Sequence, residues 1–589
     1  MDKNKRVIPI LLSIVLGCWF QQAMAEETTA EETQAQEANS TAPTATTETG
    51  APAEAAAENP PSADVETAVD APIPALAPGE QEEAETLVHQ VVDRVREEKA
   101  AEEKAQAGAP DDAVRINHVP AFIKEEIRNQ VRSDLHADVL QDVLTQAKNE
   151  QWGIPYALPS WVNKVSFKGD IRLRAQDDIF ASSNQAGSYT DVSVVNASGG
   201  FANAGPDVYT NVTEDRLRLR ARARLKIDAK VTEGIKAGLR LSTGNQKDPV
   251  STNQTLGTYD NRYQTVWDQV YLEYKGYDED RYPYLTLVGG RMPNPWMSTD
   301  LVWDGDLAFE GVAATYRKNL RGSDNLLDMT EHDQTMFATI GAFPLQEVDW
   351  SANDKWLYGG QVGAEFQYID QSKLKFALAY YVFDNITGVR NKTTDSKDMD
   401  YTAPQYMQKG NILFNIRNSN DPAAELWALA AQYREINLTA SYDMASYAPL
   451  HVVMSGDMVK NIGYDQKAID RRAQGVVERA QGWQYQSDPT KARTLGYQLG
   501  VTVGWPVVTQ IGNWNVSLFY KYLERDAVLD AFTDSDFHLG GTDAKGWIVT
   551  YNYGLEDNAW VSARWITSDS IDGAQMGVDS LQVDVNAKF

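Results

Sequence analysis

Hydrophobic and polar residues alternate along the chain from residue 165 to its end. Successive side chains of a β-strand point to opposite faces, so this pattern predicts strands with one apolar and one polar or small face. In "RLRLRARARLK", Arg216 to Lys226, every second residue is a cation and the residues between are leucine or alanine. We predict about 16 strands, at residues 164–176, 214–229, 235–243, 266–275, 283–292, 307–318, 334–343, 356–369, 374–384, 428–443, 450–460, 493–505, 514–524, 544–553, 559–568 and 578–589.

The connections between these segments alternate between short and long, with one exception at 319–333. This alternation is typical of an up-and-down barrel in an outer membrane, with tight turns at one end and long loops at the other. A membrane-spanning sheet must also close on itself, because lipid cannot satisfy an open edge. The sequence therefore predicts an all-β transmembrane fold, an antiparallel outer-membrane β-barrel of about 16 strands. A soluble sandwich is the alternative, but its loops need not alternate in length.

Aromatic residues support the membrane interpretation. Tyrosine and tryptophan cluster near predicted strand ends, as they do at membrane interfaces: Trp514, Tyr520, Tyr522, Trp547, Tyr551, Tyr553, Trp560 and Trp565. The chain ends on Phe589 after an alternating strand. A terminal phenylalanine in this setting resembles the signal read by the outer-membrane barrel-assembly machinery, although Ala587 departs from the usual larger apolar residue.

The region before the barrel divides into three predicted parts. Residues 1–25 form a secretory signal peptide with a basic start, a short apolar run and an "AMA" cleavage site. Residues 26–80, rich in Ala, Glu, Thr and Pro, are expected to be disordered. Residues 81–160 form a helical periplasmic segment, and 161–589 form the barrel domain. "VLGC" leaves lipidation of Cys18, the only cysteine, as an alternative.

The charge of the chain bears on its partners more than on its fold. The chain carries a formal net charge of −29, much of it in residues 26–160, which argues against nucleic acid as a partner. Apolar residues recur at helical spacing between residues 120 and 150. This helical segment is either a coiled coil that trimerises the protein or contacts the cell wall, or an amphipathic helix that packs nearby.

The basic face of the strand that begins at Arg216 has only one favourable position in a barrel. A charge facing lipid near the bilayer midplane costs about 2–4 kcal/mol, whereas the lumen of a wide barrel stays wet. We therefore expect the cations of three successive strands to line the pore as one basic wall that attracts anions: Arg172, Arg174, Arg216, Arg218, Arg220, Arg222, Arg224, Lys226, Lys236 and Arg240. The alternative is that arginine merely fills polar lumen positions.

Four long stretches carry a family resemblance: "SFKGDIRLRAQ", "EDRLRLRARARLKIDAKV", "VGGRMPNPWMSTDLVWDGDLAFEGVAATY" and the helical lead before residue 162. Together with Phe589 they resemble the putative porin family of Gram-negative bacteria, over roughly residues 121–589. The resemblance implies an outer-membrane barrel that passes solutes. It supplies no substrate and no defined functional residues.

The third predicted loop, Asn294 to Asp306, contains three acidic residues expected to face the basic wall, and a fourth lies just beyond it. In trimeric porins this loop folds into the barrel, and its carboxylates face a basic cluster. By that analogy the candidate constriction acids are Asp300, Asp304, Asp306 and Glu310. An ordinary acidic surface loop is the alternative, and the long gap 385–427 could equally fold inward.

The sequence favours a passive outer-membrane porin for small hydrophilic solutes with an anion bias. A substrate-specific channel for a sugar, phosphate or organic acid, and a structural envelope tether, remain alternatives. An enzyme is not expected, because His332, His451 and His538 stand in no catalytic motif. No cofactor or metal is expected, although Asp-rich outer loops leave calcium open. Expected partners are outer-membrane lipid, lipopolysaccharide, the barrel-assembly machinery and solutes, with a homotrimer and a cell-wall contact through residues 81–150 left open.

Overall fold

The structure is a computed structural model that describes residues 164–205, 208–279, 281–320, 334–349, 351–368, 370–393, 397–417, 424–473 and 492–589. The predicted signal peptide, the predicted disordered segment and the predicted helical segment lie outside these ranges. The connection at 321–333, which contains His332, lies outside them too. In the described ranges no helix is long and apolar enough to cross a bilayer.

Sixteen strands form one antiparallel sheet that closes into a barrel. Each strand pairs with the one before it, and the first pairs with the last from Asp170 opposite Lys588 to Phe180 opposite Val578. The predicted closed barrel of 16 strands is therefore confirmed. The strands are β1 (Val165–Phe180), β2 (Arg216–Lys230), β3 (Ile235–Thr243), β4 (Thr265–Tyr277), β5 (Pro283–Pro293), β6 (Ala308–Asn319), β7 (Gln334–Gln346), β8 (Lys355–Gln367), β9 (Lys373–Asp384), β10 (Arg434–Met444), β11 (His451–Asn461), β12 (Leu495–Gly504), β13 (Trp514–Leu523), β14 (Ala544–Glu556), β15 (Ala559–Ser570) and β16 (Gly577–Lys588).

The connections differ between the two ends of the barrel. Short turns, such as 231–234 and 557–558, join strands at what we call the turn end. Loops occupy the other end, the loop end: L1 (181–215), L2 (244–264), L3 (294–307), L4 (347–354), L5 (385–433), L6 (462–494), L7 (524–543) and L8 (571–576). Because the strand count is even, the chain enters and leaves the barrel at the turn end.

The outer surface of the barrel is apolar. Leu217 and Leu219 of β2 are 63% and 56% exposed, whereas Arg218 between them is partly buried. Aromatic side chains follow the same outward positions on β12 to β15. At the loop end they are Tyr497, Tyr520, Tyr522 and Trp547, linked by ring contacts, and at the turn end Trp514, Tyr551 and Tyr553. Trp560, which the sequence analysis grouped with them, has the same strand parity as Arg564 and therefore faces the lumen. Two such aromatic girdles suit the two interfaces of a membrane.

The interior holds much of the buried apolar area. The main hydrophobic cluster joins inward side chains of the strands to residues of L3, L5 and L7. Two short helices lie in loops, α1 (Val192–Ala197) in L1 and α2 (Gln466–Ala473) in L6. A small hairpin in L5 pairs Leu413–Asn415 with Trp427–Leu429. A two-residue strand in L2, Gln254–Thr255, also pairs with β2.

The predicted strand at 428–443 begins too early. The barrel strand β10 starts at Arg434, and Trp427–Leu429 belongs to the hairpin in L5. The apolar run that suggested a strand is buried on both sides, from Trp427 to Ala431. A lipid-facing strand would instead alternate exposed and buried side chains. The run therefore packs within the loops and not against a membrane.

The seam between the first and last strands is closed on both of its faces. On the outer face the backbone of Phe589 accepts a hydrogen bond from the Gly169 amide at 2.8 Å and donates one to its carbonyl at 3.0 Å. The phenyl ring lies over Gly169, where an added Cβ would come within 2.3 Å of a ring carbon. On the lumen face Arg174 of β1 binds Asp584 of β16 through two hydrogen bonds of 2.7 and 2.9 Å.

Candidate functional site

A basic wall lines one side of the lumen along β1, β2 and β3. These strands are hydrogen-bonded neighbours, and their cations occupy the face opposite the exposed leucines. The register sets Arg172 opposite Arg222 and Arg174 opposite Arg220. We define the basic wall as the cations predicted from the sequence, which the structure brings together between the loop end and the turn end: Arg172, Arg174, Arg216, Arg218, Arg220, Arg222, Arg224, Lys226, Lys236 and Arg240.

Carboxylates of β1, β2 and the neighbouring β4 lie between these cations. Asp170 accepts hydrogen bonds from Arg222 at 2.9 Å and from Arg224 at 2.8 Å. Asp178 forms an ion pair with Arg218. Further pairs join Lys226 to Asp228, Lys236 to Glu273 and Arg240 to Asp268. Partly buried charges need such partners, so these carboxylates stabilise the wall.

Loop L3 crosses the lumen. Its Met297 exchanges two hydrogen bonds of 2.8 Å with the Gln361 side chain of β8. Asp300 accepts from Gln498 of β12 at 2.8 Å. Its far end reaches the basic wall, where Asp306 lies 3.0 Å from Arg224. L3 therefore contacts opposite walls of the barrel and narrows the space between them.

Two tryptophans anchor L3 to the wall opposite the basic one. The Trp296 ring makes edge contacts with Phe343 of β7 and Tyr381 of β9, with ring centroids 6.0 and 5.3 Å apart. Trp303 contacts the same Tyr381 at 5.1 Å. The Trp296 ring fits because β8 has a glycine at this point: a Cβ on Gly359 would lie 2.6 Å from it. We call the inward surface of β7, β8 and β9 around these rings the aromatic wall.

Loop L7 is a second inward loop that the sequence analysis missed. Its Asp536 binds Arg174 of the basic wall at 3.0 Å and Arg564 of β15 at 3.2 Å. Its Asp534 lies 3.3 Å from Lys521 of β13. The signal was present in the sequence, since alternating acids in "TDSDF" parallel those of L3 and both cations occupy the polar face of alternating strands.

The acids of L3 and L7 meet over the same cations. Asp300 lies 3.3 Å from Lys521 and 4.0 Å from Arg564. Asp304 accepts hydrogen bonds from the backbone amides of Asp306 and Ser535, at 2.7 and 2.9 Å. Acids of two loops and cations of β1, β2, β13 and β15 thus form one network across the lumen.

The loop acids differ in pKa because their surroundings differ. Burial raises the pKa of Asp300, but Lys521 and Arg564 outweigh it and bring that pKa down to about 2. Burial, with Asp534 nearby, raises the pKa of Asp304 to about 8. Burial also opposes ionisation of Asp306, yet Arg222 and Arg224 lower its pKa below the usual value. Asp300 and Asp306 are therefore anionic near neutral pH, whereas Asp304 is largely protonated.

Loop L5 packs on L7 and completes the buried loop assembly. The Asn411 amide donates to the Val528 carbonyl at 2.9 Å, and the Gln408 amide donates to the Asp530 carbonyl at 2.8 Å. Its Trp427 is fully buried in the main hydrophobic cluster. The sequence analysis offered L3 and the gap 385–427 as alternative inward segments, and the structure packs both into the same cluster.

Glu310, grouped with the constriction acids in the sequence analysis, faces away from the lumen. It lies on β6 two residues before the outward Val312, and it contacts Arg291 of β5 at 2.5 Å on the outer surface. Because β6 begins at Ala308, the two-residue alternation of a strand already applies at Glu310. Its assignment to the constriction is therefore wrong.

Neither described histidine from the predicted set is placed for catalysis. His451 contacts Asp443 at 2.7 Å at the turn end. His538 contacts the Ser568 hydroxyl at 3.0 Å, but both side chains are buried. Burial holds the pKa of His538 well below its usual value. Among the described residues, no group of His, Cys, Asp or Glu side chains is arranged to hold a metal ion.

A closed antiparallel barrel with an apolar exterior, two aromatic girdles and a charged lumen narrowed by loops defines an outer-membrane channel protein. The sequence profile of the putative porin family matches residues 78–589. The chain therefore belongs to the putative porin family, as the resemblance predicted, and its place is the outer membrane.

Solved structures of outer-membrane proteins are also similar to the chain. They include the channel DcaP of Acinetobacter baumannii, with 11% identity, a TM-score of 0.36 and coverage of 72% of this chain and 97% of that chain. OprB of Pseudomonas putida has 10% identity, a TM-score of 0.39 and coverage of 74% and 97%. An anion-selective porin from Comamonas acidovorans has 10% identity, a TM-score of 0.35 and coverage of 72% and 99%. No curated protein gives a significant match.

Proposed function

We propose that the protein is a porin through which small hydrophilic solutes diffuse passively, with a preference for anions. The basic wall is the observation that supports this proposal. Its cations outnumber the carboxylates that contact them, and several stay in reach of water, such as Lys226 at 31% exposure. A lumen with an excess of one sign of charge concentrates ions of the other sign.

The test is conductance of the purified barrel in a planar lipid bilayer. We expect ohmic channels, and a reversal potential under a potassium chloride gradient that indicates chloride permeation. A protein that inserts but stays silent would contradict the porin. A potential of the opposite sign would contradict only the anion preference.

A substrate-specific channel is the second candidate, and the inward packing of L3, L5 and L7 favours it. These loops leave less of the lumen for free diffusion than an open barrel of this strand number. Specific binding would appear as inhibition of chloride conductance by one solute class among sugars, phosphate and organic acids. A chloride conductance that none of the three solute classes inhibits would support passive diffusion.

We infer the surroundings of the barrel from its two ends. The chain before Val165 leaves at the turn end, so the N-terminal segment belongs in the periplasm if the loops face outward. The outer-surface pair of Arg291 and Glu310 lies near the loop end, where it suits the charged head groups of lipopolysaccharide. The seating of Phe589 on Gly169 agrees with an assembly signal. A homotrimer and a cell-wall contact remain predictions.

A further inference from the structure

Among the buried and partly buried arginines of the basic wall, two differ from the others. In the part of the chain that the structure describes, Arg172 and Arg220 contact no carboxylate. Arg172 donates to the Asn253 side-chain oxygen at 2.5 Å, and Arg220 donates to Gln176 at 3.2 Å and to the Ser251 hydroxyl at 3.5 Å. These partners are neutral, so the positive charge of each guanidinium has no direct counter-charge.

Arg174 lies beside both arginines, and its positive charge is compensated by two carboxylates. It donates four hydrogen bonds, two to Asp584 and two to Asp536. Both carboxylates contact Arg174 directly, and Asp536 also contacts Arg564. The buried Nε atoms of Arg172 and Arg220, like those of Arg218 and Arg222, have no hydrogen-bond partner among the described residues, but Arg218 and Arg222 also have a carboxylate partner. A buried donor without an acceptor is unfavourable, so an acceptor brought by a solute would be stabilised.

The strand register places the two arginines close together. Arg172 is opposite Arg222. Arg220 lies two positions before Arg222 on β2 and is opposite Arg174. Such diagonal neighbours on paired strands are about 7–8 Å apart at Cα, within reach of long side chains. Both point into the lumen and are only partly buried. Their guanidinium groups can therefore reach one ligand from two sides.

Loop L2 holds the pair in position. The Asn253 backbone amide and side-chain amide approach the Ser251 hydroxyl at 3.4 and 3.3 Å. Thr252, between them, donates from its hydroxyl to Asp306 of L3 at 2.8 Å. One short segment of L2 thus fixes both arginines and is itself fixed by the constriction loop. Such pre-organisation lowers the entropy cost of binding a solute.

We propose that Arg172 and Arg220, with Ser251 and Asn253 of L2, form a binding subsite for a small oxyanion, a carboxylate or a phosphate group. The planar fork of an arginine matches two oxygens of either group, and two forks match it better than one. A chloride ion offers no such geometry. The proposal deepens the proposed function, on which it rests for its role, because it assigns the preferred solute class and the contact that selects it.

Binding is tested first, without reference to conduction. The thermal unfolding temperature of the detergent-purified barrel is measured while acetate or inorganic phosphate replaces chloride at constant ionic strength. We expect a saturable rise in the native protein and none in the R172Q/R220Q variant. The R317Q variant is the matched control. It also removes one cation from the lumen, but Arg317 lies on β6 and pairs with Glu365 of β8, away from the proposed subsite. It should keep the rise.

Conduction is tested next. In planar bilayers, the oxyanion that binds should reduce chloride conductance of the native channel in a saturable manner. The half-inhibiting concentration should increase about tenfold or more in R172Q/R220Q, as expected for loss of charge-assisted hydrogen bonds, and stay unchanged in R317Q. Acetate and phosphate are titrated separately, so the two chemistries are distinguished by which one inhibits.

A charge-conserving variant distinguishes binding at the subsite from the general electrostatic attraction of the basic wall. It also provides a test if the glutamine variant does not fold. R172K/R220K keeps both charges but lacks the forks. We expect anion preference to remain and oxyanion affinity to fall. Equal oxyanion affinity in this variant, or no saturable effect in a native channel that conducts, would overturn the subsite alone. A native protein that binds the oxyanion but never conducts would overturn the porin and leave the subsite standing.

Discussion

The basic wall and the aromatic wall are built from the same kind of strand but bury their inward side chains to different degrees. On the basic wall, the Arg224 side chain of β2 is 19% exposed and contacts Asp170 of β1 and Asp306 of L3. On the aromatic wall, Tyr381 is fully buried beneath Trp296 and Trp303. L3 therefore rests with its apolar residues on the aromatic wall and presents Asp306 to the basic wall.

This difference shows that lumen-facing positions do not share one environment. Where a loop covers the strand, inward residues become a hydrophobic core with the packing of a soluble protein. Where the loop only bridges, inward residues keep charge and access to water. Solutes are consequently expected to pass along the basic wall, and substitutions on the two walls should have different effects.

The largest expected effect is on the basic wall. Replacing Arg218, Arg220 and Arg222 by glutamate should invert ion selectivity, because three cations become three anions along one strand of the lumen. The reversal potential under a potassium chloride gradient should change sign. R317E, a single reversal far from this wall, serves as the control and should leave the sign unchanged. Inversion by R317E alone, or none in the triple variant, would contradict a basic wall that sets selectivity.

The next effect is expected on the aromatic wall. Trp296→Ala removes a buried anchor of L3, and large-to-small changes of this kind cost about 3–5 kcal/mol. L3 should detach locally, so single-channel conductance and hydrogen exchange of L3 should both increase. Trp547→Ala, on the outer surface, is the control and should change neither. A conductance unaffected by the loss of Trp296 would mean that other contacts hold L3 in place.

A smaller, pH-dependent effect is expected where L5 and L7 meet. Burial raises the pKa of Asp530 to about 7, compared with roughly 4 in an unfolded chain. Its contribution to stability is complete below the unfolded pKa and is lost as pH rises toward 7. Both of its carboxylate oxygens are buried without a hydrogen-bond partner among the described residues, so burial outweighs the attraction of the nearby Lys409.

Asp530→Asn should therefore protect L5 and L7 against the loosening that the native protein shows between pH 4 and pH 7. Hydrogen exchange of these loops across this range provides the measurement. The difference between native and variant protein isolates Asp530 from the neighbouring Lys409 and Asp526, which also titrate. Asp260→Asn, in an exposed part of L2, should match the native profile. Parallel profiles for D530N and native protein would refute the assignment.

The smallest effect is expected at the outer face of the seam. Gly169→Ala places a methyl group against the Phe589 ring, which must rotate away. Because an exposed ring can move at little cost, we expect a modest loss of assembled barrel in membranes and no change in selectivity. Gly360→Ala meets open space on the outer face of β8 and is the control. Equal yields of both variants would show that the ring position does not matter for assembly.

Alternation of side chains carried most of the prediction of the fold. Sixteen strands were located from sequence because lipid outside and polar groups inside impose a two-residue period. The prediction was wrong for Trp427 to Ala431, where loops surround an apolar run on all sides. Glu310 was misplaced because it was grouped with the acids of L3, although it lies in the predicted strand 307–318, where the two-residue period assigns it to the outer face.

The sequence predicted the parts of the site whose strands follow one another along the chain, because successive strands of this barrel are also neighbours in the sheet. The basic wall follows from three consecutive strands, and L3 directly joins β5 to β6. The contacts of L7 with Arg174 and Arg564 depend on how a long loop folds back across the lumen. No local pattern states which strand a loop side chain reaches, so Asp534 and Asp536 were missed although their spacing resembles that in L3.

The ion pair between Arg174 and Asp584 has a consequence for how the barrel comes into being. It bridges strands at the two ends of the barrel sequence, so it cannot form until the last strand has been made and inserted. Until then the nascent sheet has two open edges, which are templates for aggregation. Arg174 also holds Asp536, so completion of the cylinder and the settling of L7 are linked through one side chain. A chain truncated before Asp584 would lack both.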